Sequence, residues 1–140
     1  PHRIEYVETI AGVKWYNDSK ATSPHAASVA LRAFDSIVLI AGGKQKGLDY
    51  TELLPRLQAT TRAVVVFGEI AQQLAATLES ISDTVPTTVA TSLDEAVSQA
   101  RDMAEHGDTI LFSPGTSSFD MFSGYEERGD CFRRIANNLK

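Results

Sequence analysis

Trp15-Tyr16-Asn17-Asp18-Ser19-Lys20-Ala21-Thr22-Ser23-Pro24 passes from strand to loop to helix, and the rest of the chain repeats that plan. Val13 and Trp15 give the stretch a strand-like entry. Ser23 reads as a helix N-cap and Pro24 as the first helical residue, where a missing N–H costs nothing. A helix N-terminus carries unsatisfied N–H groups and about half a positive charge, so it suits an anion. Lys20 adds a full charge beside it, and Asp18 is the kind of group that takes a ribose hydroxyl or a metal-bound water. On these residues alone, an N-cap followed by solvated charges is an equally good reading.

Working outward, Ile4 to Ile10 and Val13 to Tyr16 are β-prone runs separated by Ala11-Gly12, which predicts a hairpin. Downstream, Ala27, Ala30, Leu31 and Phe34 recur at helical spacing and predict a helix from Pro24 to Phe34. Ile37 to Ala41 is a continuous apolar run, as in a strand buried on both faces. A short helix from Thr51 to Gln58 follows, with Pro55 awkward inside it. Ala63 to Gly68 is the next buried strand, and Ile70, Leu74 and Leu78 mark a helix. Thr87 to Ala90 is a weak strand. Ser92-Leu93-Asp94-Glu95 is a capping box opening a helical stripe that is expected to close at Gly107. Thr109 to Phe112 is the last strand, and a final helix is expected from about Glu126 to Leu139. This alternation predicts one α/β domain over 1–140. It should be a Rossmann-like open, mainly parallel sheet flanked by helices, with an N-terminal β-hairpin.

The composition narrows the function. A formal charge of −5 and the absence of any basic run argue against nucleic acid. Cys131 stands alone, so neither a disulfide framework nor a cysteine zinc site is expected. The three histidines show no ligand spacing, and His2 and His25 read as structural or solvent-facing. No apolar run approaches a bilayer span and no signal peptide is visible, so the expectation is a cytoplasmic protein with no membrane partner. The abrupt opening at Pro1-His2-Arg3 is compatible with a domain cut from a longer protein.

Ligands of open parallel sheets bind at the carboxyl ends of the strands. Asp18 to Thr22, Gly42 to Gly47 and Ser113 to Ser118 all fall at such ends, forming a rim suited to a carboxylate or a phosphate. Each has a plainer reading as well. Gly42-Gly43 is also a tight turn with solvated Lys44 and Lys46, Ser117-Ser118 an N-cap pair, and Phe119, Phe122 and Tyr125 core aromatics. There is neither a Walker A loop nor a Gly-x-Gly-x-x-Gly fingerprint, and no Ser-His-Asp or Cys-His set stands out. A free-standing module for a small anionic metabolite, without chemistry of its own, fits these residues.

Taken together, four segments resemble the C-terminal domain of the Mur ligases, most closely their D-glutamate-adding branch. They are Pro1-His2-Arg3, Asn17 to Thr22, Gly42 to Gly47, and Ser113 to Asp120 continued by Phe122 and Tyr125-Glu126-Glu127-Arg128-Gly129. Ser23 stands where Asn is common in that family, and Gly115-Thr116 where Ala and Cys are common. The same domain of another Mur ligase is the nearest alternative. The resemblance implies a peptidoglycan-building ligase of three domains, of which this is the last, acting as a monomer. The P-loop and the Mg2+ ligands would lie in the missing part, as would the site for UDP-N-acetylmuramoyl-L-alanine.

By the same resemblance, Arg3, Asp18 and Lys20 would contact ATP, with Lys20 and Asp18 the catalytic pair. Thr22, Lys46, Ser118, Phe119 and Tyr125 would line the D-glutamate pocket. ATP would phosphorylate the acceptor carboxyl and the amine of D-glutamate would then attack it. Two lysines and two hydroxyls suit a substrate with two carboxylates.

Overall fold

The structure is a computed structural model that describes residues 1–44, 47, 49–79 and 85–139. Its elements run β1 (Glu5–Ile10), β2 (Val13–Asn17), α1 (Pro24–Leu31), β3 (Ile37–Gly42), a 3-10 turn (Thr51–Leu53), α2 (Leu54–Thr60), β4 (Thr61–Phe67), α3 (Ala71–Glu79), β5 (Thr87–Val89), α4 (Leu93–Met103), β6 (Thr109–Phe112) and α5 (Tyr125–Asn137). The expected hairpin, buried strands and helices are all present.

The six strands form one sheet in the order β1-β2-β6-β3-β4-β5. Only the β1–β2 hairpin is antiparallel; β2–β6, β6–β3, β3–β4 and β4–β5 are parallel. From β2 to β5 the connections advance in one direction across the sheet, and then α4 carries the chain back to place β6 between β2 and β3. Right-handed crossovers therefore put α4 on the opposite face from α1, α2 and α3. The core divides accordingly. Ile37, Leu39, Ala41, Val64, Val66 and Leu111 face α1, α2 and α3, whereas Val38, Ile40, Val65, Phe67, Ile110 and Phe112 face α4 and α5. Period-two alternation along strands buried on both sides explains why their sequence is continuously apolar.

Several local expectations are refined. α1 ends at Leu31, short of Phe34, which is half-buried against Tyr16 at 4.6 Å between ring centroids. Pro55 occupies the second position of α2, where its missing N–H is harmless. The Ser92 hydroxyl caps α4 by accepting from the Glu95 N–H, but the Glu95 carboxylate reaches back to the N–H and hydroxyl of Thr91, not to Ser92. α4 ends at Met103 with Ala104 as its cap. Gly107, at a φ of 95°, serves the turn into β6, its N–H bound to the Gly12 carbonyl at 2.9 Å. Among the described residues no helix is long and apolar enough to cross a membrane.

Candidate functional site

Asp18 follows β2 directly and is 4% exposed. Its N–H continues the ladder to the Phe112 carbonyl at 2.7 Å, which fixes the loop at the carboxyl end of β6. One carboxylate oxygen accepts the Ile4 N–H at 3.0 Å, the other the Ser113 hydroxyl at 2.7 Å. Ile4 takes a φ of 43°, costly for a β-branched residue, in the turn that delivers this N–H. Burial raises the Asp18 pKa above its ordinary value, only partly offset by those two bonds and by the Arg3 charge. Two bonds leave acceptor positions on the carboxylate for a ligand. Arg3, Ile4, Asp18, Ala21, His25, Ala26 and Val29 line a cavity of about 380 Å³ beside the start of α1.

The start of α1 is built as its sequence predicts: the Ser23 hydroxyl accepts the Ala26 N–H at 3.2 Å and Pro24 is the first helical residue. Lys20 is exposed, with its N–H held by the His2 carbonyl at 2.9 Å, and Thr22 is half-buried.

Two loops meet this stretch. Gly115 donates its N–H to the Ala21 carbonyl at 2.9 Å, and Lys44 donates its N–H to the Ser117 carbonyl at 3.0 Å. The Thr116 hydroxyl donates to the Lys44 carbonyl at 2.7 Å. The loops after β2, β3 and β6 are thereby tied into one rim. Ser118 is 1% exposed, and its hydroxyl, like that of Ser117 and one carboxylate oxygen of Asp120, has no partner among the described residues. Buried polar groups are nearly always satisfied, so three orphans on one short stretch point to a polar ligand.

The structure thus brings Arg3 and Asp18 together at one cavity and sets Lys20 and Thr22 on the same loop. Ser118 sits buried in the adjoining loop. Phe119 is 63% exposed and so is not core; Tyr125 is half-buried and opens α5. Lys46 lies outside the described residues.

Four polar residues with no expected part in binding prove central, His2 among them, which fits its reading as structural. His2 is buried, with its Nδ1 2.9 Å from the Asn17 side-chain amide. Asn17 also donates to Glu5 at 3.0 Å and, through its side-chain oxygen, accepts the Ser19 N–H at 3.1 Å. Ser113 holds Asp18. Arg128 is wholly buried on α5. Its position was readable: it lies on the same helical stripe as Phe132, Ile135 and Leu139, an arginine where an apolar residue belongs.

Comparisons with known proteins agree on a family. Residues 2–116 match the family described as "Mur ligase, glutamate ligase domain". The UDP-N-acetylmuramoylalanine–D-glutamate ligase of Chlamydia caviae is 44% identical over 141 aligned positions, covering 100% of this chain and 33% of that protein. Its counterpart from Geobacter metallireducens is 47% identical over 139 positions, covering 99% of this chain and 30% of that protein. The chain therefore spans about a third of the length of these relatives. Among solved structures, a domain of a Haemophilus ducreyi UDP-N-acetylmuramate:L-alanyl-gamma-D-glutamyl-meso-diaminopimelate ligase superposes with a TM-score of 0.64 at 19% identity, covering 98% of this chain and 96% of that one. Folylpolyglutamate synthase from Thermotoga maritima also reaches 0.64, at 16% identity, with 99% and 31% covered. These structures share the fold.

Proposed function

This chain belongs to the Mur ligase family, as its glutamate ligase domain, and from that premise we propose that it is the amino-acid-binding C-terminal domain of an ATP-dependent ligase joining D-glutamate to UDP-N-acetylmuramoyl-L-alanine. The observation that carries this reading is 44–47% identity to proteins named for that reaction along the whole chain. The rim supports it independently: a cavity with apolar walls and the polar groups of Arg3 and Asp18 lies beside a helix start, and the adjoining loop carries orphaned hydroxyls.

ATP, when bound, supplies the phosphoryl group that activates the acceptor carboxyl. The cavity at Arg3 and Asp18 fits a nucleoside portion, since it pairs polar groups with the apolar walls of Ile4, Ala26 and Val29. Arg3 and Asp18 would hold it, Asp18 through its remaining acceptor positions. In this reading the Mg2+ ligands belong to the rest of the protein. Lys20 would face the transferring phosphate and a substrate carboxylate, and Thr22, Lys46, Ser118, Phe119 and Tyr125 would receive D-glutamate. Pairing each carboxylate with a lysine would favour D-glutamate over analogues lacking one, which forfeit a charge-assisted pair. Holding the amine in line with the activated carbonyl is catalysis by proximity.

Full-length kinetics with ATP and D-glutamate varied separately test the assignment. Asp18→Asn should raise the KM for ATP and spare that for D-glutamate. Thr22→Val should do the reverse by about 1–1.5 kcal/mol, or roughly 5- to 12-fold, for one hydrogen bond. Equal damage to both values in each variant would make the stretch a hinge, and no ATP-dependent use of D-glutamate would end the reading.

A further inference from the structure

Arg128 occupies the least hospitable position in the molecule for a cation. It is 0% exposed, it sits in the first turn of α5, where the helix dipole opposes positive charge, and no carboxylate lies within ion-pair distance of it among the described residues. Desolvation lowers its pKa to about 10, with the charge of Asp120 acting in the other direction. Burying an unpaired charge is costly unless its nitrogens are hydrogen-bonded. Here Nε donates to the Ser19 hydroxyl at 3.0 Å, Nη2 to the Ser19 carbonyl at 2.7 Å and Nη1 to the Thr116 carbonyl at 2.9 Å. The Phe112 ring lies 5.9 Å from the guanidinium carbon. The Ser19 hydroxyl in turn donates to the Tyr125 carbonyl at 2.7 Å, closing the network onto α5 itself.

The two acceptor residues decide what this brace does. Ser19 immediately precedes Lys20-Ala21-Thr22, and Thr116 immediately precedes Ser117-Ser118. These stretches lie about a hundred positions apart in the chain, and a planar fork with fixed donor angles sets their spacing and orientation as a flexible ammonium cannot. The cavity at Asp18 is assembled without Arg128, by the Ile4 N–H, the Ser113 hydroxyl and the ladder bond to Phe112. We infer that Arg128 is a positioning residue for the amino-acid half of the site, clamping the Lys20–Thr22 and Ser117–Ser118 stretches at the separation that D-glutamate requires. The inference rests on the function proposed above.

The test uses the full-length protein, with ATP and D-glutamate varied separately for wild type, Arg128→Lys and Arg128→Met. Arg128→Lys retains the charge and loses the fork. It should raise the KM for D-glutamate about tenfold or more, the scale expected when reacting groups are misplaced by an ångström or less. The KM for ATP should rise less, since Arg128 shares no partner with the Asp18 carboxylate that would hold the nucleoside. Arg128→Met should exceed Arg128→Lys in the same direction; if it does not fold, Arg128→Lys carries the test. Amide exchange in Arg128→Lys should quicken at 19–22 and 115–118 and not in β3 or β4. Equal rises in both KM values, or unchanged exchange in those two segments, would overturn the inference. A wild type inert toward D-glutamate overturns the underlying reading and this one together. An active wild type with an unaffected Arg128→Lys overturns this one alone.

Discussion

Asp18 and Asp108 are both buried, 4% and 6% exposed, at opposite ends of the sheet, with Asp18 set deeper, and they are treated in opposite ways. Asp108 precedes β6 at the amino end of the strands. It accepts the Ser36 hydroxyl at 2.6 Å, the Glu105 N–H at 2.8 Å and the Arg62 guanidinium at 2.9 Å. Burial works to raise its pKa, but those three donors and the Arg62 charge outweigh burial and hold it below the ordinary value. Asp18, at the carboxyl end, has two neutral donors, and there burial prevails. Among the described residues, the orphaned atoms of Ser117, Ser118 and Asp120 lie at the Asp18 end as well. At the amino end the buried carboxylate is fully held by its neighbours, and the Thr61 hydroxyl is the orphan there among the described residues. The carboxyl end is left incomplete, as a surface that completes itself with a ligand must be.

The contrast extends to glycine. Gly42 ends β3 at a φ of 132°, and a Cβ there would meet the Phe67 carbonyl oxygen at 1.9 Å. Gly12, in the hairpin turn at a φ of 79°, would direct a Cβ onto the exposed His106 ring, at 2.3 Å. Backbone cannot yield, whereas an exposed ring can swing away. Gly42→Ala should therefore cost about 4 kcal/mol or more, and Gly12→Ala about 1–2 kcal/mol for the left-handed conformation alone. Chemical unfolding of this chain measures both, and comparable losses would break the contrast.

The paired carboxylate comes next in size. Asp108→Ala orphans Ser36 and the Glu105 N–H and releases Arg62, whose side chain is 40% exposed and can recover solvent. The expected loss is about 2–3 kcal/mol of stability, with both KM values of the full-length protein unchanged. A KM effect would carry function to the amino end and erase the distinction.

The smallest expected effect is one of pH dependence. Because the folded pKa of Asp18 is raised, its stabilising contribution is complete below the ordinary value of 3.8 and is lost as pH rises through the raised value. Asp18→Asn lacks this dependence. The variant should gain stability relative to wild type as pH rises from 3.8 upward, then level off. For Asp108 the sign reverses: its contribution is present above 3.8 and is lost as pH falls through the lowered value. A difference between Asp18→Asn and wild type that is flat with pH would place Asp18 among the satisfied groups.

The sheet was legible because its strands announce themselves. Ile37 to Ala41, Ala63 to Phe67 and Thr109 to Phe112 are apolar on both faces, and each is followed by a turn signal. Strand order was not legible, since nothing local in Thr109 to Phe112 says that it inserts between β2 and β3. At the rim, residue types placed Asp18, Lys20 and Ser118 near strand ends. They could not reveal that Ser113 and Ile4 would hold Asp18, because those bonds depend on the parallel register of β2 with β6. Arg128 stood in plain view on an apolar stripe, yet its partners, Ser19 and Thr116, are backbone and hydroxyl groups that carry no pattern. The end of α4 was misplaced for a related reason: Gly107 is a left-handed glycine, but it answers to the hairpin turn rather than to the helix.

The insertion of β6 has a consequence for the order in which the molecule can come into being. Among the described residues, the sixth strand to be made is the only strand that joins the β1–β2 hairpin to β3 by hydrogen bonds, since β2 and β3 each pair with β6 and not with each other. Until residues 109–112 have left the ribosome, the hairpin has no seat in the sheet, and β3, β4 and β5 stand with an unpaired edge. Assembly must wait for a strand more than ninety residues downstream of β2, a non-local closure that slows folding. Synthesis that stalls before residue 109 leaves two fragments that share no hydrogen-bonded strand pair.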